Sequence, residues 1–276
     1  MGIYQLTDRI IDPARYPWGW EGVLWTPESI TTALWLDAAD SDTITEVSGA
    51  VSQWDDKSGN DRHAAQSASG SRPTYTSVKL NSRNVVTFDG TDDWLGCANS
   101  IFSDQLSFSW FAVVRRSTTD TIGGLFCERV ASNSAAVQFL AVDTTSVLNR
   151  PGAASASGNI EQTEYVSLPT TPQIVGSVQA ATFGSAFRNG LQVATNTATK
   201  AALTFRPLLL GGQYDSEAGS VAWQQFWPGY IAEFVVTMST MSTSDRQKLE
   251  GYLAHKWGLA ANLPSDHPYK QHAPRA

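Results

Sequence analysis

From Ala33 onward the chain alternates apolar and polar positions with a period of two, the spacing of a strand with one face buried. In LSFSWFAVVRR, Leu106, Phe108, Trp110, Ala112 and Val114 fall on one face, and Ser107, Ser109, Phe111, Val113 and Arg115 on the other. GYIAEFVVTM repeats the pattern, with Tyr230, Ala232, Phe234, Val236 and Met238 set against Ile231, Glu233, Val235 and Thr237. NVVTFDG groups Val86 with Phe88, and AAVQFLAVD groups Val137, Phe139 and Ala141. The pattern predicts core strands near 85–95, 106–115, 135–142, 173–179, 183–195, 206–211 and 229–238. Turn formers punctuate them. Residues 54–63 (WDDKSGNDRH) are dense in Asp, Asn, Ser and Gly, Asp89-Gly90 marks a corner, and Asn189-Gly190 is the preferred pair for a type I′ hairpin.

The period changes near the end of the chain. Leu249, Tyr252, Leu253 and Trp257 recur at helical spacing, after an S-x-x-Q capping box of Ser244 and Gln247. His255 and Lys256 sit in the last turn, and Gly258 follows as the C′ residue. One amphipathic helix over 244–257 is therefore expected to pack on the strands. Residues 1–30 show no period and form an N-terminal arm, 31–260 form the β domain with its helix, and 261–276 form a Pro-rich, extended tail. The arm carries Tyr16, Trp18, Trp20 and Trp25. Such rings either anchor in a neighbour's groove or fold back on their own domain.

Composition narrows the function. Charged residues are only 16% of the chain and 21 residues are glycine, which suits short strands and tight turns. The net charge is −7, with no Lys/Arg run, so neither nucleic acid nor an anionic membrane surface is an expected partner. The opening residues lack the apolar stretch of a signal peptide, and no segment approaches the length of a membrane span. Cys97 and Cys127 read as reduced core residues. The 10 Trp are an excess, and Trp is a residue of interfaces and of sugar-stacking surfaces.

Several segments, taken in order, resemble laminin-G-like domains of the concanavalin-A-like superfamily. VVTFDGTDDWLGC (85–97) is similar to the family's early strand–turn–strand, LSFSWFAVVRR (106–116) to the next strand, and FRNGLQVAT (187–195) to its hairpin. LLLGGQ (208–213) and WPGYIAEFVVTMSTMSTSDRQKLEGYLAHKWG (227–258) are similar to its closing stretch. The resemblance implies an all-β, two-sheet antiparallel jelly-roll sandwich with one C-terminal helix. The opening WTPESITTALWLDAADSDTITEVSGAVSQWDDKSGNDRHA and the closing YLAHKWGLAANLPSDHPY resemble the subset encoded by tailed bacteriophages and environmental bacteria. That subset implies a virion surface protein: a capsid decoration, head fibre or tail component. It would be present in many copies or as a homo-oligomer, made in the host cytoplasm, docked by its arm on other virion proteins and open to host surface glycans.

Sandwich glucanases of the superfamily set their acids on one strand, as a two-carboxylate mechanism requires. Here Glu233 stands alone on its strand, so no enzyme is expected. The family's sandwiches often hold one calcium ion at the rim. Asp89, Asp92 and Asp93 are the candidate ligands, with Asp55, Asp56 and Asp61 as a second set. Either set could instead cap turns through local N–H groups. For sugar stacking the candidates are Trp94, Tyr214, Trp223 and Trp227, with core-edge packing as the alternative for Trp94 and Trp227. The segment 213–228 holds four aromatics between two strands, where sandwiches place binding surface. The alternatives to a virion component are a free, calcium-dependent carbohydrate-binding module and, third, a glycan-degrading enzyme.

Overall fold

The computed structural model describes residues 23–118, 122–129, 136–141, 146–151, 163–166, 168–197, 204–214 and 223–276. Its strands run β1 (Leu34–Asp37), β2 (Ile44–Val47), β3 (Ala50–Trp54), β4 (Ala64–Ala65), β5 (Lys79–Leu80), β6 (Arg83–Asn84), β7 (Val86–Asp89), β8 (Leu95–Cys97), β9 (Phe108–Arg116) and β10 (Gly123–Arg129). They continue as β11 (Ala136–Ala141), β12 (Ser146–Pro151), β13 (Thr163–Val166), β14 (Gln173–Gln179), β15 (Gly184–Arg188), β16 (Leu191–Asn196), β17 (Leu209–Leu210), β18 (Gln213–Tyr214), β19 (Trp223–Gln224) and β20 (Pro228–Thr237). One α-helix, α1 (Thr243–Lys256), follows them.

The architecture is an antiparallel β-sandwich with a C-terminal helix, the expected jelly-roll class. One sheet has seven strands in the order β1-β20-β9-β14-β15-β16, with β7 also on β20. The other has nine, in the order β13-β12-β11-β10-β17-β8-β4-β3-β2. The long strand β20 takes two partners in succession. Its first half pairs with β7 and its second half with β1, across a register shift between Ile231 and Glu233. The Asp89-Gly90 corner then carries the chain from β7 in one sheet to β8 in the other.

Inward-facing rings from the two sheets meet in the middle. Phe126 of β10 lies edge-on to Trp110 of β9 at 4.9 Å and 5.3 Å from Phe234 of β20. Of the face that the alternation predicts, Phe108, Trp110, Ala112 and Val114 point inward and are buried, whereas Leu106 precedes the strand and is exposed. The other face of the same strands is buried too. Val235, Phe111, Gly176 and Phe187 lie in one row across β20, β9, β14 and β15. Helix α1 covers this face, with Arg246 4.2 Å above the Phe187 ring. Gly176 makes the row possible, because a Cβ there would lie 2.2 Å from the Phe111 ring.

The helix cap differs from expectation. Ser242, in extended backbone, is the N-cap: its Oγ accepts from Asp245 N (3.1 Å) and donates to Asp245 Oδ2 (2.7 Å). The cap thus falls two residues before the expected one, with Asp245 at N3 bonded to the Ser242 hydroxyl. The apolar stripe holds, with Leu249, Leu253 and Trp257 fully buried. Gly258 ends the helix at φ +74°, as a C′ glycine does.

Beneath the helix, Glu233 accepts hydrogen bonds from Trp35 Nε1 (2.8 Å), Trp257 Nε1 (2.7 Å) and Tyr252 OH (3.0 Å) and pairs with Lys256 Nζ (2.9 Å). Lys256 also reaches Asp37 at 2.6 Å, and Lys57 bridges Asp37 to Asp40. The acid that stands alone in the sequence is the anchor of the helix.

Trp25 corrects the arm reading. It is buried, its ring sits edge-on to Tyr252 at 6.2 Å, and its N–H donates to Pro274 O. It anchors in its own domain because the α1 stripe offers an aromatic surface within reach. Leu24 bridges to Arg275, and Ala276 N donates to Val23 O, so the tail pairs with residues 23–25. Tyr16, Trp18 and Trp20 lie outside the described residues. Cys97 and Cys127 are both buried and are not joined by a disulfide.

Candidate functional site

Four backbone segments converge at one end of the sandwich. Pro228 pairs with Asp89, and a Cβ on Gly90 (φ +78°) would lie 2.7 Å from the Pro228 side chain. Gly124 N donates to Gln225 O at 2.6 Å, and a Cβ on Gly124 would lie 2.9 Å from the Gly212 carbonyl. Trp227 N donates to Gly211 O, and Gly211 in turn faces the backbone of Asp93. Small residues at these crossings let the 89–94 corner, the start of β10 and the β18–β19 hairpin share one rim. The sequence candidates Asp89, Asp92, Asp93, Trp94, Tyr214, Trp223 and Trp227 all lie on these segments.

Their roles there differ. Asp89, Asp92 and Asp93 bring one ligand atom each to within 4.8 Å of one another. Much of their capacity serves the turn. Asp89 Oδ1 accepts from the N–H groups of Thr91 (2.8 Å), Asp92 (3.2 Å) and Asp93 (3.4 Å), and Asp93 Oδ2 accepts from Asp89 N (2.9 Å). Burial, and then the charges of Asp89 and Asp92, push the Asp93 carboxyl up to about 6. The donor set of carboxylate oxygens is of the kind that suits calcium.

The second acidic set is a turn device. Asp56 is buried and accepts from Trp35 N, Ser58 N, Ser58 Oγ and Arg62 N. Both its oxygens hold the 54–63 loop against β1, and Asp55 and Asp61 flank His63 at 3.4 and 3.9 Å.

Among the aromatics, Trp227 corrects the stacking reading. It is fully buried in the main core, with its backbone N–H bonded to Gly211 O. Trp94 is half-buried. It packs with Leu209 and Cys127, which alternate with the core residues Leu208, Leu210 and Phe126 and so face away from the core. A Cβ on Gly96 would come 3.0 Å from the Trp94 ring, so the indole rests against a bare stretch of β8. Tyr214 and Trp223 are cross-strand partners in the β18–β19 ladder.

Sequence reasoning missed Gln213 and Gln225. The Oε1 atoms of both, and Nε1 of Trp227, are buried without a hydrogen-bond partner. Gln225 also sits at φ +59°, a left-handed conformation rare for a side chain of that size. Only the density of turn formers and aromatics in 213–228 pointed to this stretch.

A shallow cavity of about 310 Å³ lies elsewhere, lined by Glu28, Thr32, Trp35, Lys57, Ser58 and Asn60 among others. Its polar groups serve the fold: Lys57 pairs with Asp37 and Asp40, and Asn60 donates to the carbonyls of Thr32 and Ala33.

No protein-family model matches the sequence, and no curated protein is similar to it. Solved structures do match the fold. Domain 4 of AbnA, an extracellular arabinanase from Geobacillus stearothermophilus in complex with arabinotriose, is 12% identical with a TM-score of 0.51. The match covers 80% of this chain and 98% of that domain. A Trypanosoma rangeli sialidase in complex with sialic acid is 14% identical with a TM-score of 0.55, covering 81% of this chain and 33% of the sialidase. The chain thus spans about a third of the sialidase's length. The likeness is one of fold, an antiparallel β-sandwich.

Proposed function

We propose that the chain is a glycan-binding sandwich module that acts without catalysis, using the rim and the Trp94 face beside it. The observation that carries this reading is the placement of Trp94, a half-buried indole laid on Gly96, Leu209 and Cys127, away from the core and next to the rim. A ring held in this way is pre-organised for stacking on a sugar. The likeness to a domain solved with arabinotriose supports the reading and makes that sugar the first probe. Calorimetric titration with arabinotriose and a panel of bacterial oligosaccharides tests it. Trp94→Ala should weaken binding by about 10- to 100-fold, the range of an aromatic hot spot. Unaltered affinity in the variant would remove Trp94 from the site.

The absence of turnover is part of the proposal. Glu233 and Asp37, a close carboxylate pair, are buried beneath α1 around Lys256 rather than set across a groove. Release of reducing ends from any of the polysaccharides by the purified chain would overturn it. A place on a virion surface, which the opening and closing segments imply, is a separate proposal. Sedimentation with phage particles stripped of the component tests it: rebinding supports that placement, and failure to rebind argues against it.

A further inference from the structure

We infer that Lys256 and Asp37 are a self-modifying pair that closes into an isopeptide bond with the loss of one water, Glu233 acting as the proton carrier. The first observation is placement. Asp37 of β1 and Glu233 of β20 are direct cross-strand partners, which sets two carboxylates side by side on one face. The last turn of α1 lays Lys256 between them, with Nζ 2.6 Å from Asp37 Oδ1 and 2.9 Å from Glu233 Oε2. An amine and a carboxyl held in contact react as if at very high concentration.

The second observation is the enclosure. The side chains of Glu233, Asp37 and Lys256 are 0%, 6% and 14% exposed. Trp35, Tyr252 and Trp257 all donate to Glu233, and Lys256 Nζ lies 5.2 Å and 5.4 Å from the Tyr252 and Trp257 ring centroids. Water both competes for the carboxyl and is the product, so keeping it out favours the amide. The Lys57–Asp40 pair is as close, at 2.7 Å, but more open to water, and no bond is expected there.

The third observation is charge. Among the described residues the cluster sets three carboxylates, Asp37, Asp40 and Glu233, against two ammoniums, Lys57 and Lys256. Burial pushes the Glu233 carboxyl up, with Lys256 opposing and Asp37 reinforcing, so Glu233 is suited to take a proton. The step then balances. Glu233 Oε2 takes a proton from the Lys256 ammonium, and the freed Nζ lone pair bonds to Asp37 Cγ. The bond from Cγ to Oδ1 breaks, and Oδ1 leaves as water with the two protons that Nζ gives up, passed through Glu233, which is regenerated. Oδ2 stays as the amide oxygen, and the Lys57 ammonium 3.3 Å away stabilises the charge that gathers on it during the step.

Intact-mass spectrometry of the purified full-length chain, denatured after storage at neutral pH, reads the bond directly. The expected mass is one water below that of the sequence, with a proteolytic fragment that joins the segment around Asp37 to the segment around Lys256. Lys256→Arg keeps a cation but has no amine, and should show the full mass. Glu233→Gln keeps an oxygen for the indole and phenol donors but cannot carry the proton, and should also stay at full mass. A wild-type chain at full mass overturns the inference, and this reading does not depend on how well either variant folds. A lost water mapped to a succinimide at Asp89-Gly90, or a link from Lys256 to Glu233, overturns it as well. A cross-link formed in Glu233→Gln would overturn the role of Glu233 as proton carrier.

Discussion

At the joint between α1 and the seven-stranded sheet, Glu233 is fully buried and meets two indole N–H groups, a phenol and an ammonium. At the rim, Gln213, Gln225 and Trp227 have buried polar atoms with no partner, and three carboxylates crowd one corner. The joint gives its buried carboxylate four donors, whereas these buried rim atoms have none. Unmet atoms of this kind also lie at Trp54 Nε1, Thr87 Oγ1 and Gln179 Oε1, so the contrast is one of how tightly each region is held.

The comparison breaks most directly at the joint. Glu233→Ala leaves Lys256 and two indole donors facing a cavity beneath the helix. Removing one partner of such a buried pair should cost about 3–5 kcal/mol, read as a fall in the urea midpoint. A loss below about 1 kcal/mol would show that the network is ornamental.

Glu128 lies between the two cases. It accepts from Ser100 Oγ (2.5 Å), Ile101 N (2.5 Å) and Phe102 N (3.0 Å), and burial, opposed by these bonds, pushes its carboxyl up to about 7 from the ordinary 4.5. An acid whose folded pKa lies above its unfolded one holds its proton better when folded. Stability is therefore greatest below about 4.5 and declines as pH rises toward about 7, by on the order of 3 kcal/mol from this group. Asp93 works in the same direction, between 3.8 and about 6. Denaturation midpoints across this range should show the decline, and Glu128→Gln should flatten it.

The smallest effect sharpens the contrast by its sign. Asp93→Asn keeps an oxygen for the Asp89 N–H while removing a crowded charge. At neutral pH it should raise stability, by less than about 1 kcal/mol after solvent screening. A destabilised variant would mean that the acidic corner is compensated after all, as a bound cation would do.

How much of this was legible in the sequence follows from how local each signal is. The alternation in β9 and β20 and the Asn189-Gly190 turn, with φ of 50° and 81°, depend on neighbours in the chain and were readable. The strand β10 was not. It begins with two glycines and shifts register between Gly124 and Phe126, so no alternation marks it. The Glu233 network was equally hidden, since its Trp35 partner lies 198 residues away. For Trp25 and Trp227 the sequence offered packing on their own domain as one of two readings, and burial against α1 and beside Gly211 decides between them. Gln213 and Gln225 carry no sequence signal, since what distinguishes them is the lack of a partner in three dimensions.

The pairing of residues 23–25 with 274–276 has a mechanical meaning. The chain enters beside Val23 and leaves beside Ala276, at the same end of a short antiparallel ladder. Tension applied through the two ends opens that ladder one bond at a time, as a zipper, instead of shearing its bonds together. The ladder acts as a weak link that lengthens under load before force reaches the sandwich.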